Sequence, residues 1–166
     1  MKKCSLGLLC MSALVLVGCG PVHLSEPNEY MLSAQKQVVP SKVSRTRKTL
    51  LVATPVAAPG FQSRNMIYVQ TPFKLQAYTQ SQWVAPPARM LTSVLVNALR
   101  STNYFKAVAA PPFVGKTDYQ LNTQLVALGQ SFRLPTSQIH LVLSVSLVKV
   151  STLQVLATKT FVRDVK

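Results

Sequence analysis

Carboxylates, imidazoles and thiols are scarce in this chain of 166 residues. The acids are Glu26, Glu29, Asp118 and Asp164, the histidines His23 and His140, and the thiols Cys4, Cys10 and Cys19. Glu26 and Glu29 lie near the N-terminus, so a folded body would own only two carboxylates. A hard-cation site built from several carboxylates is therefore nearly excluded, and a paired-carboxylate glycosidase needs Asp118 and Asp164 to meet. A nucleophilic triad would have to recruit His140 together with one of the many serines, and His140 reads as an exposed residue on the polar face of an alternating strand. One histidine without free thiols cannot close a zinc site, and Gly60, Gly115 and Gly129 are too scattered to cradle a phosphate. No catalytic or metal-binding residue is expected, and the chain reads as a binding or structural part and not as an enzyme.

The spacing that does carry chemistry is N-terminal. Met1-Lys2-Lys3 is basic, and Ser5 to Val17 is an uncharged apolar run of 13 residues, the length of a secretory h-region. As a helix it would rise only ~20 Å against a hydrocarbon core of ~30 Å. The run ends in Leu16-Val17-Gly18-Cys19, which resembles the lipobox of bacterial lipoprotein signal peptides. There, a small residue precedes the cut and the thiol takes a diacylglyceryl thioether. Cys10 fits worse, because Leu9 precedes it and a cut there would halve the apolar run. Cleavage would make Cys19 the first residue and the only remaining cysteine, which leaves no disulfide. The rival reading is an uncleaved, tilted anchor, since Cys4 to Val22 carries no charge. A fully acylated Cys19 anchors durably, and Gly20 in place of Asp after it implies sorting to the outer membrane, periplasmic face. The covalent lipid on Cys19 is the only prosthetic group expected, with no cofactor.

The remaining composition describes a single domain on a tether. Lys and Arg number 18 against 4 acids, a net charge of +14 with only 13% charged residues, so the basicity comes from a shortage of acids. A hydrophobic share of 48% is enough for one modest core. Residues 1–18 read as signal peptide. Residues 19–47, with Pro21, Pro27, Pro40 and the cations Lys36, Lys42, Arg45 and Arg47, read as the lipidated cysteine and a flexible basic tether, in which Tyr30-Met31-Leu32 forms a short strand. Anionic headgroups would attract such cations by ~1 kcal/mol each. Export excludes nucleic acid as a partner. Residues 48–166 form the domain.

Within that domain, Leu50-Leu51-Val52-Ala53 before Pro55 reads as a buried strand and Ala58-Pro59-Gly60 as a turn. Met66 to Gln70 and Phe73 to Thr79 form a hairpin around Thr71-Pro72. Pro86-Pro87 opens a helix with an apolar stripe of Met90, Leu91, Val94, Leu95, Ala98 and Leu99, and Arg100 and Asn103 stop it. Phe105 to Ala109 is a short strand. Tyr119, Leu121 and Leu125, then Ile139 to Leu147, alternate with polar residues, and Val155 to Val162 returns after a turn at Ser151 to Gln154. The fold class is α+β, with one amphipathic helix laid on a mostly antiparallel sheet. Phe61, Tyr68, Tyr78 and Trp83 gather around the start of the helix, either as packing beneath Met90 and Leu91 or as an exposed aromatic patch for a partner or acyl chain. Phe61, in a loop, is expected to point outward, and Trp83 to fold back on the helix.

An ordered set of residues carries a resemblance. Ala58-Pro59-Gly60-Phe61, Ile67-Tyr68, Leu75-Gln76-Ala77-Tyr78, Trp83, Pro86-Pro87, Arg89-Met90-Leu91, Asp118-Tyr119-Gln120-Leu121, Val155-Leu156-Ala157 and Thr160-Phe161 are similar to the ABC-type transport auxiliary lipoprotein component family. This is the family of the outer-membrane lipoprotein of the paraquat-inducible system. The resemblance runs from about Tyr30 to Phe161. It implies a non-enzymatic lipoprotein that acts with an ABC permease and ATPase and an MCE-domain protein in moving lipid between the inner and outer membranes. It further implies a fold like the N-terminal domain of TolB. Phospholipid and a second copy of the chain join the partners to be considered. The C-terminal helix usual in the family is expected to be missing, because the sequence given stops at Arg163-Asp164-Val165-Lys166. The rival function is a stand-alone structural or assembly lipoprotein, such as a lipopolysaccharide-assembly or secretin-pilot factor.

Replacing Cys19 by Ser is expected to abolish acylation and to leave an uncleaved precursor or a soluble form. Radiolabelled palmitate incorporated equally by Cys19→Ser and the parent protein would contradict the lipobox reading.

Overall fold

The computed structural model describes residues 26–33, 44–133 and 136–166. The expected lipidation and sorting residues, Cys19 and Gly20, lie outside this set. In chain order the elements are β1 (Asn28–Tyr30), β2 (Thr49–Val52), β3 (Val56–Ala57), β4 (Asn65–Val69), β5 (Gln76–Trp83), α1 (Pro87–Ser101), β6 (Ala107–Ala109), β7 (Tyr119–Ser131), β8 (Gln138–Lys149) and β9 (Gln154–Val165). No helix among the described residues is long and apolar enough to cross a membrane.

The alternating segment at Tyr119 becomes the spine of the sheet. Along one edge of β7 the strands β2, β3 and β4 lie end to end and parallel to it, with Leu51 opposite Gln120, Ala57 opposite Leu125 and Tyr68 opposite Gln130. Along its other edge β8 runs antiparallel for the full length, from Tyr119 opposite Lys149 to Ser131 opposite Gln138. β9 extends this hairpin outward, also antiparallel. β6 joins β2 in parallel, β5 joins β4 antiparallel, and β1 joins β5 in parallel. The sheet is thus mixed, which corrects the expectation of a mostly antiparallel one. Alternation reports which face of a strand is buried and carries no information on the direction of its neighbour. The parallel ladders here are built from strands of two to five residues.

Asn28, Glu29 and Tyr30 pair with Ser81, Gln82 and Trp83, and Glu29 forms an ion pair with Arg64. The sheet therefore begins inside the stretch read as tether. β3 was not expected, and β5 begins three residues and ends four residues later than the expected Phe73 to Thr79 strand; the remaining strands fall near their expected places, β6 shorter and β7 longer than the pattern indicated.

β7 carries a bulge between Leu125 and Ala127. One extra residue reverses the side-chain alternation beyond it. Leu125 and Leu128 consequently share the face beneath α1, while Ala127 and Gly129 turn to the opposite face.

α1 begins with Pro87, whose missing N–H had no intrahelical partner in a first turn. It ends near Asn103, which adopts a left-handed φ of 52°. The Arg100 side chain in its last turn donates from Nε and Nη2 to the Val108 carbonyl at 3.1 and 2.9 Å, closing the helix onto β6. Within the expected stripe Met90 and Leu91 are buried and Val94, Leu95, Ala98 and Leu99 half-buried. Ala88 and Val96 are buried as well. The face is rotated from the expected one because β6 returns along the helix and Val96 joins Val108, Leu50 and Val52 in one cluster. A second cluster unites Ala88, Leu91, Leu125 and Leu128, and Leu95 touches both. Each side chain so enclosed contributes ~1.5–3 kcal/mol of transfer free energy. Burial fades away from the helix: β8 is half-buried for most of its length, and every residue of β9 is exposed.

A carboxylate ties the start of β2 to the start of β7. Asp118 accepts from the Thr49 N–H at 2.8 Å, the Thr49 hydroxyl at 2.9 Å and the Lys48 ammonium at 3.0 Å. These donors, the Thr49 backbone foremost, hold its carboxyl down at about 2. A carboxyl depressed in the folded state adds stability fully above its unfolded value, about 4, and loses that contribution as the pH falls toward 2. Asp118→Asn is expected to lower the melting temperature at neutral pH and to lose less stability than the parent between about pH 4 and pH 2. Melting curves recorded across that range check this, and parallel declines in the two proteins would contradict it.

Candidate functional site

The four aromatics expected near the start of the helix separate into two pairs. Phe61 and Trp83 pack on the cluster of Ala88, Leu91, Leu125 and Leu128. For Trp83 this is the expected place. Phe61 was expected to project outward, and the correction follows from the turn before it. Gly60 takes a φ of +91°, and the Phe61 N–H bonds back to the Ala58 carbonyl at 3.1 Å, which folds the loop onto the sheet.

Tyr68 and Tyr78 instead contact each other across β4 and β5, with ring centroids 4.7 Å apart and planes tilted by 44°. Phe132 meets Tyr68 edge-on at 6.1 Å. The Tyr78 hydroxyl donates to Gln130 Oε1 at 2.6 Å, and burial, aided by Tyr68, raises its pKa. Phe132 is the member that sequence reading missed. It follows the end of β7, and the bond from its N–H to the Val69 carbonyl at 2.9 Å brings it beside β4.

The bulge in β7 and the pairing with β4 border a cavity of about 410 Å³ on the side to which Ala127, Gly129 and His140 turn, with Phe61 reaching it from the loop before β4. Phe61, Ile67, Val69 and Ala127 give it apolar walls, and Arg133, Gln138, His140 and Asp164 give it a polar rim. Gly129 contributes bare backbone. A Cβ there would stand 2.7 Å from the Ile67 carbonyl oxygen, so a side chain would push β4 off β7.

His140 lies opposite Gly129 on β7 and opposite Asp164 on β9, with its Nδ1 2.6 Å from Asp164 Oδ1. The carboxylate orients the ring. Ser131 lines the same cavity, and among the described residues the side-chain partner of His140 is Asp164. Asp118 and Asp164 stand at opposite ends of β8. The Val150 N–H bonds the Asp118 carbonyl at one end, and His140 faces Asp164 at the other. Among the described residues no three His, Cys, Asp or Glu side chains gather as metal ligands. The arrangement offers an apolar recess with a cationic and hydrogen-bonding mouth.

Among the described residues, a mixed sheet with one covering helix and a recess beside its central strand defines the class as a small sheet-dominated α+β domain. The chain belongs to the ABC-type transport auxiliary lipoprotein component family, whose model matches residues 30–166. The same fold occurs in the crystal structure of protein XCC0632 from Xanthomonas campestris. Its TM-score is 0.73 at 24% identity, over 82% of this chain and 77% of that one. An uncharacterized protein of known crystal structure shares it with a TM-score of 0.65 at 15% identity, over 85% of this chain and 80% of the other. No curated protein sequence matches the chain.

Because Phe61 packs on the core, Phe61→Ala should destabilise the domain by roughly 2 kcal/mol, less than the ~3–5 of a fully buried Phe. Tyr78→Phe, which removes only one hydrogen bond, should cost about 1 kcal/mol. Urea unfolding checks both. An unchanged midpoint for Phe61→Ala would return that side chain to the role of an exposed anchor.

Proposed function

We propose that the protein is a non-enzymatic, outer-membrane lipoprotein facing the periplasm, a docking and binding subunit of an ABC/MCE-type system that moves lipid between the inner and outer membranes. The family match over residues 30–166 carries this reading. The cavity supports it chemically. Ile67, Val69, Ala127 and Phe61 suit a segment of acyl chain, and Arg133 at the mouth suits an anionic headgroup. The His140–Asp164 pair acts as a positioned hydrogen-bonding group in this reading, and no bond is made or broken. The expected protein partners are the permease, the ATPase and an MCE-domain protein, reached from a lipid anchor on Cys19.

The test is purification of the full-length, acylated protein in mild detergent from its native membranes, with identification of bound proteins and lipids. Permease and MCE components are expected in the eluate. Phospholipid is expected to accompany the parent protein and to be depleted in Ala127→Phe, which fills the cavity. Recovery without any transport component would sink the subunit reading in favour of a stand-alone assembly lipoprotein. Gly20→Asp should shift the protein toward the inner membrane on a density gradient, and an unchanged distribution would count against outer-membrane residence.

A further inference from the structure

The end of the sheet where β2, β6 and β7 begin and β8 ends collects cations without matching acids. Residues 44–48 approach it, with the Thr46 N–H bonded to the Tyr104 carbonyl and the Lys106 N–H to the Lys48 carbonyl. Exposed Arg45, Arg47, Lys106, Lys116 and Lys149 all lie at this end or on the loop returning to it. Its one carboxylate, Asp118, is already occupied by Lys48 and Thr49. Apolar side chains protrude between these cations. Leu153, at the tip of the β8–β9 turn, is 80% exposed, and Val114, in the loop before β7, is 101% exposed. Phe113, next to Val114 in sequence, is 45% exposed, and Tyr104, whose carbonyl accepts from the Thr46 N–H, is 41% exposed.

We infer that this end of the domain is a second membrane contact, a surface that seats on an anionic phospholipid bilayer with Leu153 and Val114 dipping below the headgroups. Cations near such a surface are drawn to its anionic headgroups, and five uncompensated ones bias the orientation of a domain already held at the membrane. Separate protruding tips suit a deformable lipid interface better than a rigid protein groove, which would need a shaped recess for each. The opposite end is the natural competitor. It carries Phe73 at the tip of the β4–β5 turn, 105% exposed, but its four cations, Lys74, Arg133, Arg163 and Lys166, are one fewer and Asp164 stands among them. An extended chain from Cys19 to Asn28 spans at most ~30 Å, more than half of the ~43 Å that the 13 residues of β7 cover along the sheet. Either end can therefore reach the bilayer that holds the anchor, and charge decides between them. The inference goes beyond the transport role and shares with it only the anchor on Cys19.

Leu153 and Phe73 make a matched pair of probes, because both occupy exposed turns with left-handed φ, 54° and 64°. In a Trp83→Phe background, which removes the single native tryptophan, the full-length acylated protein would carry either Leu153→Trp or Phe73→Trp. Each variant is reconstituted into vesicles of brominated phosphatidylcholine with or without phosphatidylglycerol. Leu153→Trp is expected to lose roughly half its emission by contact with brominated chains when phosphatidylglycerol is present, and Phe73→Trp very little. Lys106→Glu combined with Lys116→Glu should restore the emission without shifting the melting temperature, since both side chains are exposed. Equal or stronger quenching of Phe73→Trp, quenching at neither tip, or quenching indifferent to phosphatidylglycerol would each overturn the inference. Palmitate labelling of the same samples reads the anchor separately, so a missing anchor and a missing end contact are told apart.

Discussion

Everything in this domain hangs on the bulge between Leu125 and Ala127 in β7. The strand pairs with β2, β3 and β4 along one edge and with β8 along the other, so its side-chain parity is shared by all four. Without the extra residue, the partner of Leu125 beneath α1 would be Ala127, and Leu128 would face solvent on the far side. With it, Leu125 and Leu128 lie together under the helix and the small residues Ala127 and Gly129 floor the cavity. Core and recess are therefore two consequences of one irregularity in a hydrogen-bonded ladder.

The gradient of burial away from α1 follows from having one helix across a wide sheet. The helix covers β2, β3, β6 and the middle of β7, and Leu141 and Leu143 of β8 are only partly buried against the cluster that holds Leu91. β9 is left outside that shelter. Its apolar residues Val155, Leu156, Phe161 and Val162 are among the most exposed of their kind, and β9 is held chiefly by the ladder to β8. Phe161 is partly occupied by the Lys159 ammonium, 5.0 Å above its ring.

Electrostatics divide the molecule in a different way. Each of the scarce acids in the sheet is committed to a specific partner: Glu29 to Arg64, Asp118 to Lys48 and Thr49, Asp164 to His140. Committing the acids to these structural ties leaves most Lys and Arg among the described residues without a carboxylate partner. The surplus charge gathers where strands start and loops return, and the long alternating strands supply Ser, Thr, Gln and Asn to their polar faces. An anionic surface or headgroup is the ligand chemistry that such a surface favours.

Much was legible without coordinates. The alternation of Ile139 to Leu147, the helical stripe from Met90 to Leu99, the Pro86-Pro87 start and the turn at Ala58-Pro59-Gly60 are local properties, set by side-chain period and backbone propensity, and the family resemblance rests on their order. The parallel pairings were not legible, because a three-residue strand such as β1 gains its stability wholly from neighbours distant in sequence. Neither was the inward turn of Phe61, which needs the left-handed Gly60 and the cluster under α1 to be known together. The same holds for Val96, buried only because β6 returns beside it, and for Phe132, joined to the tyrosines through Val69. The amino-acid sequence by itself determined the elements, the scarcity of acids and the candidate anchor at Cys19. The tertiary structure alone decided strand direction, the parity switch in β7 and hence which face carries the recess, because these depend on long-range hydrogen-bond register that no local period encodes.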